Sequence, residues 1–314
     1  MTDAAANVLD QLAAAPISWG ICEVPGWGAQ LPPERVLREM HDLGFRETEL
    51  GAAGYLPEDP QALTDMLASY ELRLCGAFIP VVIHDPVESA ATRQAVDDAI
   101  TLLNATGARY FITAPVMTWD WGPRRPLSDS EWGRTYAFLD EIEDACAENG
   151  LVQAVHPHIG TVIESDDDVQ RVLDNTRAGF TLDTGHLLIG GYDPLHFVEH
   201  HYDRIRHVHL KDVVMDLALP VLHGERSIME GVQAGMFCNL GAGDVPLTEV
   251  VQAVEKRGFE GLYVIEQDAA IVGDLPPENA GPKNDIAASV AYLAGLSSQA
   301  AAVEHQQPME GNSQ

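Results

Sequence analysis

Eight short apolar runs alternate with segments of helical apolar spacing along most of the chain. The runs predict strands at 17–21, 48–51, 72–80, 109–115, 151–157, 179–183, 205–210 and 261–266. The segments after them predict helices at 33–43, 60–70, 89–105, 129–148, from 165 onward, 194–201, 246–257 and 286–296. Eight strand–helix units over about 280 residues favour a closed parallel (β/α)8 TIM barrel. An open doubly wound sheet is disfavoured, because no Gly-x-Gly-x-x-Gly motif follows a predicted strand.

Two stretches break this alternation. Residues 212–244 are too long for a βα loop, in which about 2–6 residues are common, so we expect a helix of their own and a lid over the barrel mouth. Residues 298–314 are rich in Gln, Ala and polar side chains and predict a disordered tail. The sequence therefore predicts one barrel domain over 1–297, with a lid-like insertion at 212–244 after the seventh strand.

The chain is strongly acidic. Its 48 Asp and Glu residues against 18 Lys and Arg residues give a formal net charge of -30, which opposes binding to nucleic-acid phosphates or an anionic membrane surface. We therefore expect no nucleic acid and no membrane as partners, and a small neutral substrate instead. Residues 1–15 contain no Lys or Arg, unlike a signal peptide, and the four cysteines form no Cys-x-x-Cys pair. Both features predict a cytoplasmic protein.

Side chains that bind metals or carry protons stand at the ends of five predicted strands. They are Glu49; His156 and His158; Asp183 and His186; His209, Lys211 and Asp212; and Glu266 and Asp268. Because the carboxyl ends of the strands of such a barrel meet at one mouth, we expect these residues to be neighbours. Asp, His and Glu together suit a divalent metal of hard to borderline character. The alternative interpretation is a buried network of ion pairs.

Six short motifs follow these strand ends in order. They are Thr-Glu-Leu-Gly-x-x-Gly-Tyr-Leu-Pro at 48–57, His-Pro-His-Ile-Gly-Thr at 156–161, Leu-Asp-Thr-Gly-His at 182–186, His-Val-His-Leu-Lys-Asp at 207–212, Gly-Met-Phe-x-x-x-Gly-x-Gly at 235–243 and Val-Ile-Glu-Gln-Asp at 264–268. This series resembles the sugar phosphate isomerase/epimerase superfamily, which has a xylose-isomerase-like TIM barrel. Within that superfamily it is most similar to the inosose dehydratases.

The resemblance implies a divalent metal bound by Asp183, His209 and Glu266. The metal would be Mn²⁺ first, with Co²⁺ or Mg²⁺ as alternatives, and His186 would face the substrate. Epimerases of the superfamily carry a Glu ligand on the fifth strand, where this chain has His156. We therefore expect His156 as the fourth ligand, and this replacement removes the pair of metal-bound carboxylates that the epimerases place on the two faces of an enediolate.

The remaining strand-end residues suit an elimination. In such a reaction the metal polarises a ketone, a base removes the α-proton and an acid protonates the departing hydroxyl. His156 and His158 lie two residues apart on one predicted strand, so their side chains point to the same side and can divide metal binding from proton delivery. Glu266 or Lys211 would help to handle the α-proton. The sequence does not distinguish the base from the acid.

Substrate contacts are predicted for one further carboxylate and for aromatic side chains. Glu49 is a candidate to bind substrate hydroxyls, although a solvated acid is its ordinary role in so acidic a chain. Trp19 and Trp119, with Trp27 and Trp121, are candidates to line a sugar pocket, because the apolar faces of sugars stack on aromatic rings. Packing in the core or in the lid is the alternative role of these tryptophans.

The leading hypothesis is a metal-dependent lyase that dehydrates an inosose or a related keto-sugar through an enolate-type intermediate. One alternative is a keto-sugar isomerase or epimerase with the same site. Another is a subunit that eliminates the aglycone of a 3-keto C-glycoside together with a small partner subunit. The non-enzyme alternative is a sugar-binding protein. A homo-oligomer is compatible with all of them, and an apurinic-site endonuclease is disfavoured by the negative charge.

Overall fold

Eight parallel strands close into a barrel in the computed structural model, which describes residues 8–304. The barrel strands are β1 (Leu12–Ala14), β2 (Glu47–Glu49), β3 (Arg73–Val81), β4 (Tyr110–Pro115), β5 (Val152–Val155), β6 (Phe180–Asp183), β7 (Ile205–Leu210) and β10 (Tyr263–Ile265). They follow one another around the barrel in chain order, and β10 pairs with β1 to close the sheet. The predicted (β/α)8 TIM barrel is confirmed.

Helices connect the barrel strands and pack on their outer face. They are α1 (Pro33–Asp42), α2 (Pro60–Ala68), α3 (Ser89–Thr106), α4 (Asp129–Glu148), α5 (Asp166–Asn175), α6 (Thr184–Ile189), α7 (Pro194–His201), α10 (Leu247–Lys256) and α11 (Pro282–Glu304), with α8 and α9 in the insertion described below. Ser165 caps the start of α5, because its hydroxyl and the Asp168 carboxylate each accept the other residue's backbone N–H. Gly107 ends α3 in the left-handed conformation, at φ 72°. Side-chain caps and left-handed glycines of this kind set the ends of these two helices.

Apolar side chains form two separate layers. The larger lies between the sheet and the helices, where Phe180 of β6 packs on Phe197 of α7 with ring centroids 5.4 Å apart. The smaller is a cluster of strand residues that fills the barrel interior, formed by Ala13, Ala15, Cys75, Tyr110, Ile112 and Val264. The strands β1, β3, β4 and β10 contribute to both layers because successive side chains point to opposite faces. Toward the carboxyl ends of the strands, polar side chains replace this interior cluster.

The first barrel strand differs from the prediction. The strand lies at Leu12–Ala14, while Pro16–Trp19 form a 3-10 turn, so the predicted strand at 17–21 is wrong. Alanine has low strand propensity, and Ala13 and Ala14 are nevertheless held by pairing with β2 and β10. Trp19 on this turn is wholly buried, and its indole N–H donates to Glu39 Oε2 at 3.0 Å. Its predicted role in a sugar pocket is therefore corrected to a role in the core.

The long insertion after β7 contains two helices. It begins with β8 (Asp212–Val213), continues through α8 (Met215–Leu222) and α9 (Ile228–Gln233), and returns in β9 (Phe237–Cys238), which pairs antiparallel with β8. The expected helical content is present, and the function of the insertion as a lid stays a prediction.

Asp212 ties the two ends of this insertion together. Its carboxylate accepts hydrogen bonds from the backbone N–H groups of Val213, Gly241, Gly243 and Val245, at 2.9, 2.8, 2.9 and 3.1 Å. A Cβ at Gly243 would lie 2.3 Å from Asp212 Oδ1, so only glycine fits against this carboxylate. Four donors on one buried carboxylate make Asp212 a structural anchor of the insertion.

The last helix is longer than predicted. It extends to Glu304, so residues 298–304 of the predicted tail are helical. Residues 305–314 lie outside the described residues, and the disorder expected there stays a prediction. Between residues 8 and 304, no helix has the length and apolarity needed to cross a bilayer.

We expect Asp212→Asn to lower the free energy of unfolding by about 1–3 kcal/mol, because the new amide NH₂ group would face backbone N–H donors that need an acceptor. Urea denaturation followed by circular dichroism measures this change. The matched control is Asp216→Asn on the exposed side of α8, which should stay within about 0.5 kcal/mol of wild type. Equal denaturation midpoints for the two variants would contradict the anchoring role.

Candidate metal centre and active site

Four buried side chains converge at the carboxyl end of the barrel. His156 directly follows β5, Asp183 ends β6, His209 lies one residue before the end of β7 and Glu266 directly follows β10. One ligand-type atom from each lies within 4.8 Å of the others. The convergence expected from their positions at the strand ends is therefore present, and these four residues are called the metal cluster below.

The metal cluster brings ligand-type nitrogen and oxygen atoms of different residues close to one another. His156 Nε2 lies 3.2 Å from Asp183 Oδ2, and His209 Nδ1 lies 3.6 Å from the same oxygen and 2.7 Å from Glu266 Oε2. Asp183 Oδ1 is already occupied, because it accepts the backbone N–H of His186 at the start of α6. Within residues 8–304, His209 Nδ1 and Glu266 Oε2 have no partner of hydrogen-bond geometry although both are buried. A divalent cation would satisfy these atoms, so the residues fit a metal.

Glu49 lies beneath the metal cluster rather than in an open pocket. Its Oε1 accepts from His209 Nε2 at 2.8 Å and from His207 Nε2 at 2.9 Å, and its exposed fraction is 3%. Burial alone would raise the pKa of Glu49, but His209 and His207 lower it to about 2. The expectation that Glu49 binds substrate hydroxyls is corrected, because its carboxylate faces two histidines inside the barrel.

Lys211 brings a buried positive charge to the metal cluster. Its Nζ lies 2.9 Å from Asp268 Oδ1, 3.1 Å from Glu266 Oε2 and 3.5 Å from Asp183 Oδ2. Burial alone would lower the pKa of Lys211, but the Asp183, Asp268 and Glu266 carboxylates raise it above its ordinary value. Lys211 is therefore an ammonium that donates hydrogen bonds, including one to His186 Nε2 at 3.0 Å.

Two further histidines lie beside the metal cluster. The rings of His158 and His186 are 3.9 Å apart between centroids. His158 Nδ1 lies 2.7 Å from the carbonyl oxygen of Ile159 and donates to it, so Nε2 keeps its lone pair. Burial, with a smaller contribution from His156, lowers the pKa of His158 to about 3. His158 is thus a neutral imidazole, and it is half-buried whereas the metal cluster is buried.

Two aromatic rings line one side of this site: Trp121, a predicted candidate, and Phe78, which the sequence did not single out. Phe78 of β3 contacts the rings of His156 and His158 edge-on, at 5.5 and 6.0 Å, and Trp121 stacks on Phe78. Trp121 also lies 6.0 Å from His158. The Trp119 indole N–H donates to Glu88 Oε2 at 2.8 Å, so Trp121 is the tryptophan with described contacts to the site, and the role of Trp119 in substrate binding stays a prediction.

The insertion contributes one ring to the opposite side. Phe237 lies 5.4 Å from the His186 ring, and its centroid is 4.8 Å from Lys211 Nζ. Phe237 belongs to the Gly-Met-Phe motif, whose position in sequence gave no indication of this contact. The β8–β9 pairing is what brings the motif back over Lys211.

A model of the xylose isomerase-like TIM barrel family matches residues 23–294. The chain belongs to this family. Within the xylose isomerase-like family, the inosose dehydratase of Geobacillus kaustophilus (strain HTA426) is 31% identical over 277 residues, covering 83% of this chain and 89% of that protein. The rhizopine catabolism protein MocC of Rhizobium meliloti is 33% identical over 267 residues, covering 82% of this chain and 81% of its own.

Solved structures share the xylose isomerase-like barrel at lower identity. An L-ribulose 3-epimerase has a TM-score of 0.68 at 15% identity and covers 96% of this chain and 99% of its own. The IolI protein with a bound zinc atom has a TM-score of 0.66 at 13% identity and covers 92% of this chain and 98% of its own. Identities this low establish the common fold alone.

We expect wild-type protein to bind one divalent ion per chain and both Asp183→Ala and Glu266→Ala to lose it, because each removes a charged ligand. Elemental analysis after dialysis against Mn²⁺ measures the content. The ion should also raise the unfolding free energy of wild type by about 2.7 kcal/mol at a hundredfold excess over Kd, and neither variant should respond. Asp216→Ala is the control that keeps the ion. Full metal content in both site variants would disprove the cluster as the binding site.

Proposed function

We propose that this protein is a metal-dependent lyase that dehydrates an inosose or a related keto-sugar. The inosose dehydratase of Geobacillus kaustophilus supports this proposal, because it is 31% identical and the match covers 89% of that enzyme. The observation that carries the proposal is the placement of His158. This neutral imidazole is the half-buried group beside a buried cluster that suits a metal, where a substrate reaching the mouth would meet it.

His158 is the group to which we assign removal of the α-proton. Its Nε2 is free to accept, because the hydrogen of the ring lies on Nδ1 and is donated to Ile159. Burial lowers the pKa of His158, so the ring is neutral before substrate binds and its Nε2 lone pair is available. The Phe78 and Trp121 rings beside it would contact the apolar face of a cyclitol ring and orient its C–H bond.

His186 and Lys211 are the pair to which we assign protonation of the departing hydroxyl. The Lys211 ammonium donates to His186 Nε2, so the hydrogen of the His186 ring lies on Nδ1. No acceptor for this Nδ1–H is present among the residues that the structure describes. A proton held there would leave with the hydroxyl as water, and Lys211 would replace it.

A divalent ion held by the metal cluster would polarise the ketone and acidify the neighbouring C–H bond. We propose Mn²⁺ as this ion, because two carboxylates and two imidazoles suit it and none of the four cysteines belongs to the cluster. These four thiols are free, which supports the further proposal of a reducing, cytoplasmic environment.

Incubation of Mn²⁺-loaded protein with a panel of inososes and ketoses in D₂O, followed by NMR, tests the reaction. We expect loss of water from a cyclic keto-substrate. Deuterium entering the α-position without loss of water would show the isomerase or epimerase alternative instead. Absence of both, in protein that holds its metal, would show a binding protein without catalytic activity.

We expect His158→Gln to lower kcat by about 10²–10⁴-fold, because the amide cannot accept the α-proton. Metal content should not change, since His158 is outside the metal cluster. His84→Gln is the control: His84 also follows a barrel strand, is buried at 3% exposure, and lies outside every metal-type cluster of the described chain. Equal turnover by His158→Gln and wild type would remove His158 from the mechanism.

A further inference from the structure

One carboxylate oxygen beneath the metal cluster accepts hydrogen bonds from two histidines. Glu49 Oε1 accepts from His207 Nε2 and from His209 Nε2, at 2.9 and 2.8 Å. His207 and His209 lie two residues apart on β7, so both side chains point into the barrel interior. All three residues are buried, at 3%, 0% and 0% exposure.

This contact decides which nitrogen of His209 can bind a metal. An ionised carboxylate only accepts hydrogen bonds, so the His209 ring carries a hydrogen on Nε2. The other nitrogen, Nδ1, faces the Asp183 and Glu266 carboxylates, so a metal bound there would take the Nδ1 lone pair in place of a second ring hydrogen. If the hydrogen were on Nδ1, the lone pair would point at Glu49 and the metal cluster would lose one ligand.

The pairing of β2 with β3 is irregular next to Glu49. The register shifts between Thr48 and Glu49, so that Cys75 of β3 is skipped and Glu49 pairs with Gly76. β2 itself has no extra residue, and its regular alternation directs the Glu49 side chain into the barrel interior. Position 76 has no space for a side chain, because a Cβ there would lie 2.6 Å from the Tyr110 carbonyl oxygen.

We propose that Glu49 is the positioning residue for His209, and that it fixes the ring orientation and tautomer that make Nδ1 the metal ligand. The proposal rests on the metal cluster of the proposed function. His207 is the second donor that holds the carboxylate in place, and its ring lies 4.4 Å from Tyr110. A carboxylate behind a ligating histidine also raises the basicity of the ring, and loss of such a partner typically costs about 10–100-fold in metal affinity.

The Mn²⁺ affinity of full-length, chelator-treated protein tests this role. We expect Glu49→Gln to raise Kd by about 10–100-fold, because the amide oxygen is a weaker acceptor and its NH₂ group allows the other tautomer. In a His209→Gln background, Glu49→Gln should cause no further loss, since it acts through His209. Glu39→Gln is the matched control. Glu39 is also 3% exposed, but it bonds Trp19 and Arg35 in α1, so this variant should keep the wild-type Kd even if its stability falls.

A second measurement uses unmodified protein and so does not depend on the folding of a variant. In ¹⁵N-histidine-labelled wild-type protein loaded with ¹¹³Cd²⁺, we expect metal coupling at one Nδ1 atom, that of His209, and at one Nε2 atom, that of His156. Coupling at His209 Nε2, two ions per chain, or an unchanged Kd in Glu49→Gln would each overturn the positioning role. Wild-type protein that binds neither Mn²⁺ nor Cd²⁺ would instead disprove the metal cluster itself.

Discussion

The buried ammonium of Lys211 is the charge on which the arrangement at the barrel mouth depends. Asp183, Glu266 and Asp268 bring three carboxylates into a space where none is more than 8% exposed, and like charges so placed oppose ionisation. Lys211 Nζ lies within 3.5 Å of an oxygen of each. The backbone is adapted to this side chain, because a Cβ at Gly185 would lie 2.8 Å from Lys211 Cγ. Removing the ammonium would leave several buried charges without compensation.

Much of the site followed from the sequence because parallel strands end at one mouth. His156, Asp183, His209 and Glu266 each come at or near the end of an apolar run, so their meeting required only that the barrel close. Glu49 satisfied the same rule, yet its role could not be read this way, because its carboxylate lies beneath the metal cluster, where it accepts from His207 and His209. The apolar pattern of the sequence gives the position of a residue along a strand, but it does not show how deep in the barrel interior its side chain lies.

The other differences have similarly local causes. β1 escaped notice because its Leu-Ala-Ala sequence carries no β-branched residue, and its pairing with both neighbours overrides the low propensity. Trp119 and Trp121 are the same residue type two positions apart, so the sequence alone could not show which of them contacts His158. In the structure Trp121 has a left-handed backbone, at φ 58°. Phe237 depends on the return of a long insertion, which no local pattern specifies. The barrel itself also does not decide the reaction, since an L-ribulose 3-epimerase shares it at 15% identity.

The Asp212 anchor limits which part of the insertion can move. It fixes β8 to the segment at 241–245, and β8 in turn holds β9, so Phe237 belongs to the tethered base. Any movement of the predicted lid would therefore be confined to α8, α9 and the turns between them. Phe237 would stay over Lys211 during such a movement. The burial of the Lys211 ammonium, which is 0% exposed, would then not depend on whether the lid is open or closed.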